Sequence, residues 1–210
     1  MTSAVSEKPV VYVVDDDDSL RKAVTRLLQA AGYDVRAYAS AGDFALADRE
    51  SYRRGCVLLD VRMPGPSGLD LQEALAREDE PLPVIFLSAY GDVPTSVRAM
   101  KAGAVDFLTK PIKRDVLLNA VRAALARDLR SHTSREQLRE VRARFEKLTP
   151  REKEVFDLVV AGRLNKQIAA ELGMAERTVK AHRGQVMTKM RATSLAELVH
   201  LADKMQSSTS

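Results

Sequence analysis

Five polar side chains of this sequence are suited to joint chemistry: the carboxylates of Asp15, Asp16 and Asp60, the hydroxyl of Ser88 and the ammonium of Lys110. Each falls just beyond the end of a short apolar run that reads as a strand. Asp15 and Asp16 follow Val10–Val14, Asp60 follows Cys56–Leu59, Ser88 follows Val84–Leu87 and Lys110 follows Val105–Leu108. Three carboxylates brought together repel one another, which raises the pKa of at least one unless a cation is held between them. Hard oxygen donors with room for water suit Mg²⁺, and such a site suits phosphoryl transfer to a carboxylate. In that arrangement Asp60 is the nucleophile, Lys110 pairs with a phosphoryl oxygen and Ser88 hydrogen-bonds another.

The elements that must position these groups are legible around them. Val35–Tyr38 supplies a further strand, and segments of helical spacing, clearest in Leu20, Val24, Leu27 and Leu28, alternate with the strands. Nearly continuous apolar strands alternating with amphipathic helices predict a five-stranded, doubly wound parallel sheet covered on both faces. Ligands of such sheets bind outside the strand carboxyl ends, where the strand order reverses. Order 2-1-3-4-5 places that crevice between the first and third strands and unites Asp15, Asp16 and Asp60. Singly, Ser88 would be read as a cap and Lys110 as a surface charge; their joint placement on one rim is what gives them meaning. Asp17, Asp18 and Ser19 read as capping and first-turn residues of the next helix.

With those residues in view, the first part of the chain resembles the receiver domain of response regulators. The resemblance rests on Val13-Val14-Asp15-Asp16, Leu59-Asp60-Val61-Arg62-Met63-Pro64-Gly65, Ser88-Ala89 and Thr109-Lys110-Pro111. It implies a flavodoxin-like fold over residues 9–127, with Asp60 as phosphoacceptor. It further implies Mg²⁺ held by Asp16, Asp60 and the Arg62 backbone carbonyl, with Asp15 acting through metal-bound water. Ser88 and Phe107 become the switch pair, the first swinging toward the phosphoryl group and the second turning inward. Relatives also have a cis bond at the position of Lys110-Pro111. Arg62 and Tyr90 flank the pocket where side chains could admit or block water.

Residues 128–147 read as a charged helical linker without Gly or Pro; Leu118, Val121 and Leu125 are out of heptad phase with Leu138, Val141, Phe145 and Leu148, so a break is expected at Ser131-His132-Thr133-Ser134. A new, all-α domain is expected over 148–204. Thr149, Pro150 and Glu152 form a helix start with a capping box, and Gly162 and Gly173 divide the rest of the domain. Asn165 to Leu172, a Gly173 turn and a helix opening at Glu176 or Arg177 make a helix-turn-helix within a four-helix domain. From Arg177 to Arg191 there are five basic residues and no acidic one. Val179, Val186 and Met190 face inward at helical spacing while Lys180 and Arg183 face out. The segments Leu148-Thr149-Pro150-Arg151-Glu152, Asn165-Lys166-Gln167-Ile168-Ala169 and Thr178-Val179-Lys180-Ala181-His182 resemble the LuxR-type helix-turn-helix, which with the receiver points to the FixJ/NarL subfamily. That resemblance implies Lys180, Ala181 and Gly184 at base edges, and Lys166, Thr178, Arg183 and Lys189 nearer phosphates. Gly184 departs from the larger residue common in relatives, at a cost of about 1 kcal/mol in a helix interior.

Composition agrees with two jobs. The formal charge of +4 hides +3 over 127–147 and +3 over 148–210, leaving −2 for residues 1–126. A basic back half suits double-stranded DNA. One cysteine, Cys56, rules out an intramolecular disulfide framework, and its apolar setting suggests a buried thiol. No membrane span or apolar leader is legible, so a cytoplasmic location is expected. The sequence shows no Gly-rich phosphate loop and no His/Cys metal cluster. The expectation is a switch rather than an enzyme, one that catalyses only its own phosphorylation and dephosphorylation. Its expected partners are a sensor histidine kinase, DNA, a second copy of the phosphorylated chain and RNA polymerase.

Overall fold

The computed structural model describes residues 8–47, 54–89 and 93–206. Tyr90 and the tail 207–210 lie outside them. The chain divides into two compact units that meet between His132 and Thr133.

In the first unit five strands alternate with helices: β1 (Val10–Val14), α1 (Asp18–Ala30), β2 (Asp34–Tyr38), α2 (Ala41–Leu46), β3 (Gly55–Asp60), α3 (Gly68–Leu75), β4 (Val84–Ser88), α4 (Val93–Lys101), β5 (Asp106–Thr109) and the start of α5 (Arg114–Glu146). All strand pairs are parallel, in the order β2-β1-β3-β4-β5, as the apolar runs predicted. Alternate residues of the strands feed two cores. Tyr12, Val14, Val57, Leu59 and Phe86 pack with Phe44 of α2, Leu71 and Leu75 of α3 and Ala99 of α4. Val11, Val13, Cys56, Leu58, Ile85 and Leu87 pack on the other face with Val24 and Leu28 of α1 and Leu117, Val121 and Ala124 of α5. Each fully buried aliphatic side chain contributes about 1.5–3 kcal/mol, so this double layer makes the sheet a rigid support for its rim.

The second unit is helical throughout. The last turns of α5 join α6 (Pro150–Val160), α7 (Asn165–Leu172), α8 (Glu176–Met190) and α9 (Leu195–Gln206). Val141, Leu148, Val155, Phe156, Ile168, Val179, Val186, Met190 and Leu198 form its core. Thr149 caps α6 with the expected capping box, and Pro150 occupies its first turn. Gly173 ends α7 in the left-handed region at φ 62°, the conformation that a sharp turn between two helices needs and that favours glycine.

The expected break at Ser131-His132-Thr133-Ser134 is not observed: α5 runs unbroken through it. Serine and threonine cost a helix only about half a kcal/mol each, and no Gly or Pro is present to stop it. The change in apolar phase that suggested a break reflects two sets of neighbours. Leu117, Val121 and Ala124 belong to the first unit's core, and Val141 and Leu148 to the second's.

Candidate functional site

Strand register alone assembles the rim. Val14 pairs with Leu59, which sets Asp15 beside Asp60; Asp60 pairs with Leu87, and Ser88 with Thr109, the neighbour of Lys110. The expected residues therefore stand in line along one edge of the sheet. Asp15 is fully buried, Asp60 is 7% exposed, Ser88 is buried and Asp16 is exposed. Oxygens of Asp15, Asp16 and Asp60 lie within 4.8 Å of one another, close enough to share a metal ion. Three hard donors, one open to solvent, fit a divalent cation that keeps part of its water shell.

Lys110 sits between two of these carboxylates. Its Nζ donates to Asp15 Oδ2 at 2.8 Å and lies 3.1 Å from Asp60 Oδ1. Burial alone would lower the Lys110 ammonium, but the hydrogen bonds and charges of Asp15 and Asp60 outweigh it and hold the group above its ordinary value. Asp60 is pushed upward, chiefly by burial and then by the charges of Asp15 and Asp16, with Lys110 opposing. Asp60 Oδ1 also accepts the Val61 N–H at 3.0 Å, so both contacts converge on one oxygen. Close approach below Asp60 depends on Gly68, where an added Cβ would stand 2.1 Å from the Asp60 carbonyl oxygen.

Asp15 is tethered through all three of its oxygens. Oδ1 accepts the Asp17 N–H at 2.9 Å, Oδ2 accepts Lys110, and the carbonyl oxygen accepts Nη1 of Arg21 at 2.7 Å. Sequence reasoning missed Arg21; its only signal was a basic residue on the first full turn of the helix after the acidic pair. Asp17 caps α1 through the N–H groups of Ser19 and Leu20, as expected. Phe107 is half-buried on β5 with its ring 6.1 Å from that of Phe86. Arg62 is exposed, and Lys110-Pro111 is cis. Cys56 is buried, and its thiol is pushed up to about 12 by burial and by the charge of Asp128.

In the second unit α8 buries Val179, Val186 and Met190 and exposes Thr178, Lys180, Ala181 and Gly184. Lys166 is exposed on α7, and half-buried Arg183 donates to Asn165 Oδ1 at 3.1 Å, bringing the start of α7 and the middle of α8 together. Nothing in the domain lies within 4 Å of a Cβ built on Gly184. Lys189, half-buried on α8, has a partner within the domain. Its Nζ donates to Glu152 Oε2 at 2.7 Å, and Glu152 is 5% exposed and also caps α6 through the Thr149 N–H. Lys189 thereby offsets the charge of a buried carboxylate.

Comparison with known proteins matches both halves. Residues 11–122 fit the response regulator receiver domain, and residues 146–202 fit the bacterial regulatory proteins of the luxR family. Nodulation protein W of Bradyrhizobium diazoefficiens is 47% identical over 94% of this chain and 87% of its own. Transcriptional regulatory protein FixJ of Azorhizobium caulinodans is 43% identical over 91% of this chain and 90% of its own. Among solved structures, response regulator StyR superposes with a TM-score of 0.81 at 46% identity, covering 94% of this chain and 99% of that one. A receiver joined to a luxR-type domain is the class these findings define, and the chain belongs to the FixJ/NarL subfamily of two-component response regulators. It is a phosphorylation-dependent regulator of transcription, with a sensor kinase upstream and DNA as its target. No helix among the described residues is long and apolar enough to cross a membrane.

Proposed function

We propose that Asp60 is the phosphoacceptor, within a receiver over residues 9–127, and that Mg²⁺ is the ion shared by Asp15, Asp16, Asp60 and the Arg62 carbonyl. The observation that carries this reading is the line of Asp15, Asp60, Ser88 and Lys110 along one rim, with three carboxylates inside 4.8 Å. When bound, Mg²⁺ supplies charge neutralisation for the phosphoryl oxygens. The kinase's phosphohistidine loses its P–N bond as an Asp60 carboxylate oxygen forms the P–O bond, and the imidazole leaves. Lys110 exchanges Asp15 and Asp60 for a phosphoryl oxygen, and Ser88 turns its hydroxyl to another. Phe107 follows inward as the switch aromatic. Apart from promoting this transfer and its hydrolysis, the receiver turns over no substrate.

The phosphorylated chain is a cytoplasmic homodimer that pairs two copies of the face formed by α4, β5 and α5. Exposed Val93, Val97 and Met100 on α4 and Val116 on α5 support that face. Residues 128–147 are the linker, and 148–204 bind DNA through α8. Lys180, Ala181 and Gly184 face base edges, while Lys166, Thr178 and Arg183 lie toward phosphates, with RNA polymerase as a further partner. Asp60→Asn is expected to accept no phosphoryl from an acyl phosphate in Mg²⁺, followed by mass spectrometry. Labelling at the wild-type rate refutes the assignment.

A further inference from the structure

We infer that Arg21 is a positioning residue for the acidic turn, stapling the end of β1 to the first turn of α1 so that Asp15 and Asp16 stay poised for a cation. The inference rests on reading that turn as part of the phosphoryl site. Its guanidinium spans the turn: Nη1 donates to the Asp15 carbonyl oxygen at 2.7 Å and Nη2 to Asp18 Oδ1 at 2.8 Å. The side chain is 16% exposed, so the staple is largely shielded from water. Between its two anchor points lie Asp16 and Asp17, and the direction of the exposed Asp16 carboxylate is set by the backbone that Arg21 holds.

The staple matters most when the site is in use. In the structure Asp15 has three tethers, Asp17 N–H, Lys110 and Arg21. Transfer draws Lys110 away to the phosphoryl group, which leaves the Asp17 N–H and Arg21 as the chain's own donors to Asp15 beside the cation. A residue that only stabilised the fold would act equally before and after that exchange. Arg21 instead acts more strongly once Lys110 has left.

Two effects of Arg21 on a cation have opposite signs, and this makes them separable. Its positive charge repels a nearby cation, so charge alone predicts tighter Mg²⁺ binding when it is removed. Its brace predicts weaker binding, since partners that orient metal ligands are worth about 10–100-fold in affinity. Lysine retains the charge but cannot reach two oxygens in a fixed fork. Arg21→Met removes both.

The experiment is a titration of the full chain with Mg²⁺ alone and then with beryllofluoride, following the amide NMR shifts of Asp15, Asp16 and Asp60, with thermal unfolding measured alongside. Expected are Mg²⁺ affinities about tenfold weaker in both Arg21→Lys and Arg21→Met, with a larger loss for beryllofluoride. Asp18→Asn, a milder change at an exposed anchor, is expected to give a smaller loss in the same direction. Tighter Mg²⁺ binding in Arg21→Met overturns the inference in favour of charge. Lower thermal stability with unchanged affinity in all three variants overturns it in favour of a purely structural role. A wild-type chain whose three amides ignore Mg²⁺ and beryllofluoride removes the phosphoryl-site reading itself, and this inference with it.

Discussion

Replacing Lys189 with methionine separates a structural lysine from a DNA-binding one. Methionine keeps the apolar stem but leaves the Glu152 carboxylate, 5% exposed, without its ammonium partner. Removing one member of a fully buried pair costs about 3–5 kcal/mol. Lys189 is one-third exposed, and Glu152 keeps the Thr149 N–H at 2.7 Å, so the expected loss is about 1–2 kcal/mol. The pH dependence comes from the carboxylate. Its hydrogen bond to Lys189, then that from the Thr149 backbone, holds Glu152 below its ordinary value. The stabilisation is therefore fully present above about pH 4.3 and is lost as pH falls through the depressed folded value. The gap between wild type and Lys189→Met should close over that range. Hydrogen exchange of α6 amides in the full chain reads the stability, and the dependence of DNA affinity on salt reads the phosphate contacts. Each phosphate contact adds about 0.9 to that log–log slope, so Lys166→Ala should flatten it by about that amount and Lys189→Met should leave it unchanged. A flattened slope with unaltered exchange in Lys189→Met would refute the reasoning.

Three further outcomes are expected. Gly68→Ala should destabilise the first unit by about 2–3 kcal/mol or more, because its Cβ meets the Asp60 carbonyl at 2.1 Å; amide exchange in β3 within the full chain checks it, and wild-type protection contradicts it. Cys56, buried with its thiol near 12, should resist a thiol reagent at mildly alkaline pH and react at once when the chain is unfolded in denaturant; rapid native labelling would contradict its burial. Arg54→Met should cost about 1–3 kcal/mol by weakening the pairing of Asp128, which is 3% exposed and 3.2 Å from the Arg54 Nε. Asp128→Asn in the same background should then recover part of that loss, measured by thermal unfolding.

The sheet and its rim were legible because both rest on local signals. An apolar run such as Val10–Val14 declares a strand buried on both faces, and a parallel sheet necessarily brings strand ends to one edge. The helix start at Thr149-Pro150-Arg151-Glu152 was equally plain, since its capping partners lie three residues apart. What escaped were contacts between residues remote in sequence. Lys189 and Glu152 are 37 positions apart, and Arg54 and Asp128 are 74 apart, and no periodicity encodes such pairs. A basic residue on an exposed-looking helix gives no sign in sequence of an internal acid such as the one Lys189 meets in Glu152. The continuity of α5 was obscured for another reason: a helix that serves two cores shows two apolar phases, which imitate an interruption.

The position of Lys110 has a consequence for ion selectivity. With its Nζ 2.8 Å from Asp15 and 3.1 Å from Asp60, the chain supplies its own monovalent counter-ion. Being tethered, that ammonium is not diluted into solvent and competes at high local concentration. Sodium or potassium would replace one single charge with another and gain nothing in Coulomb energy. A divalent ion, small and doubly charged, would gain in Coulomb energy beside the same carboxylates. On the proposed reading, the rim would thereby favour a divalent over a monovalent cation, using the side chain assigned to the phosphoryl group in the same site.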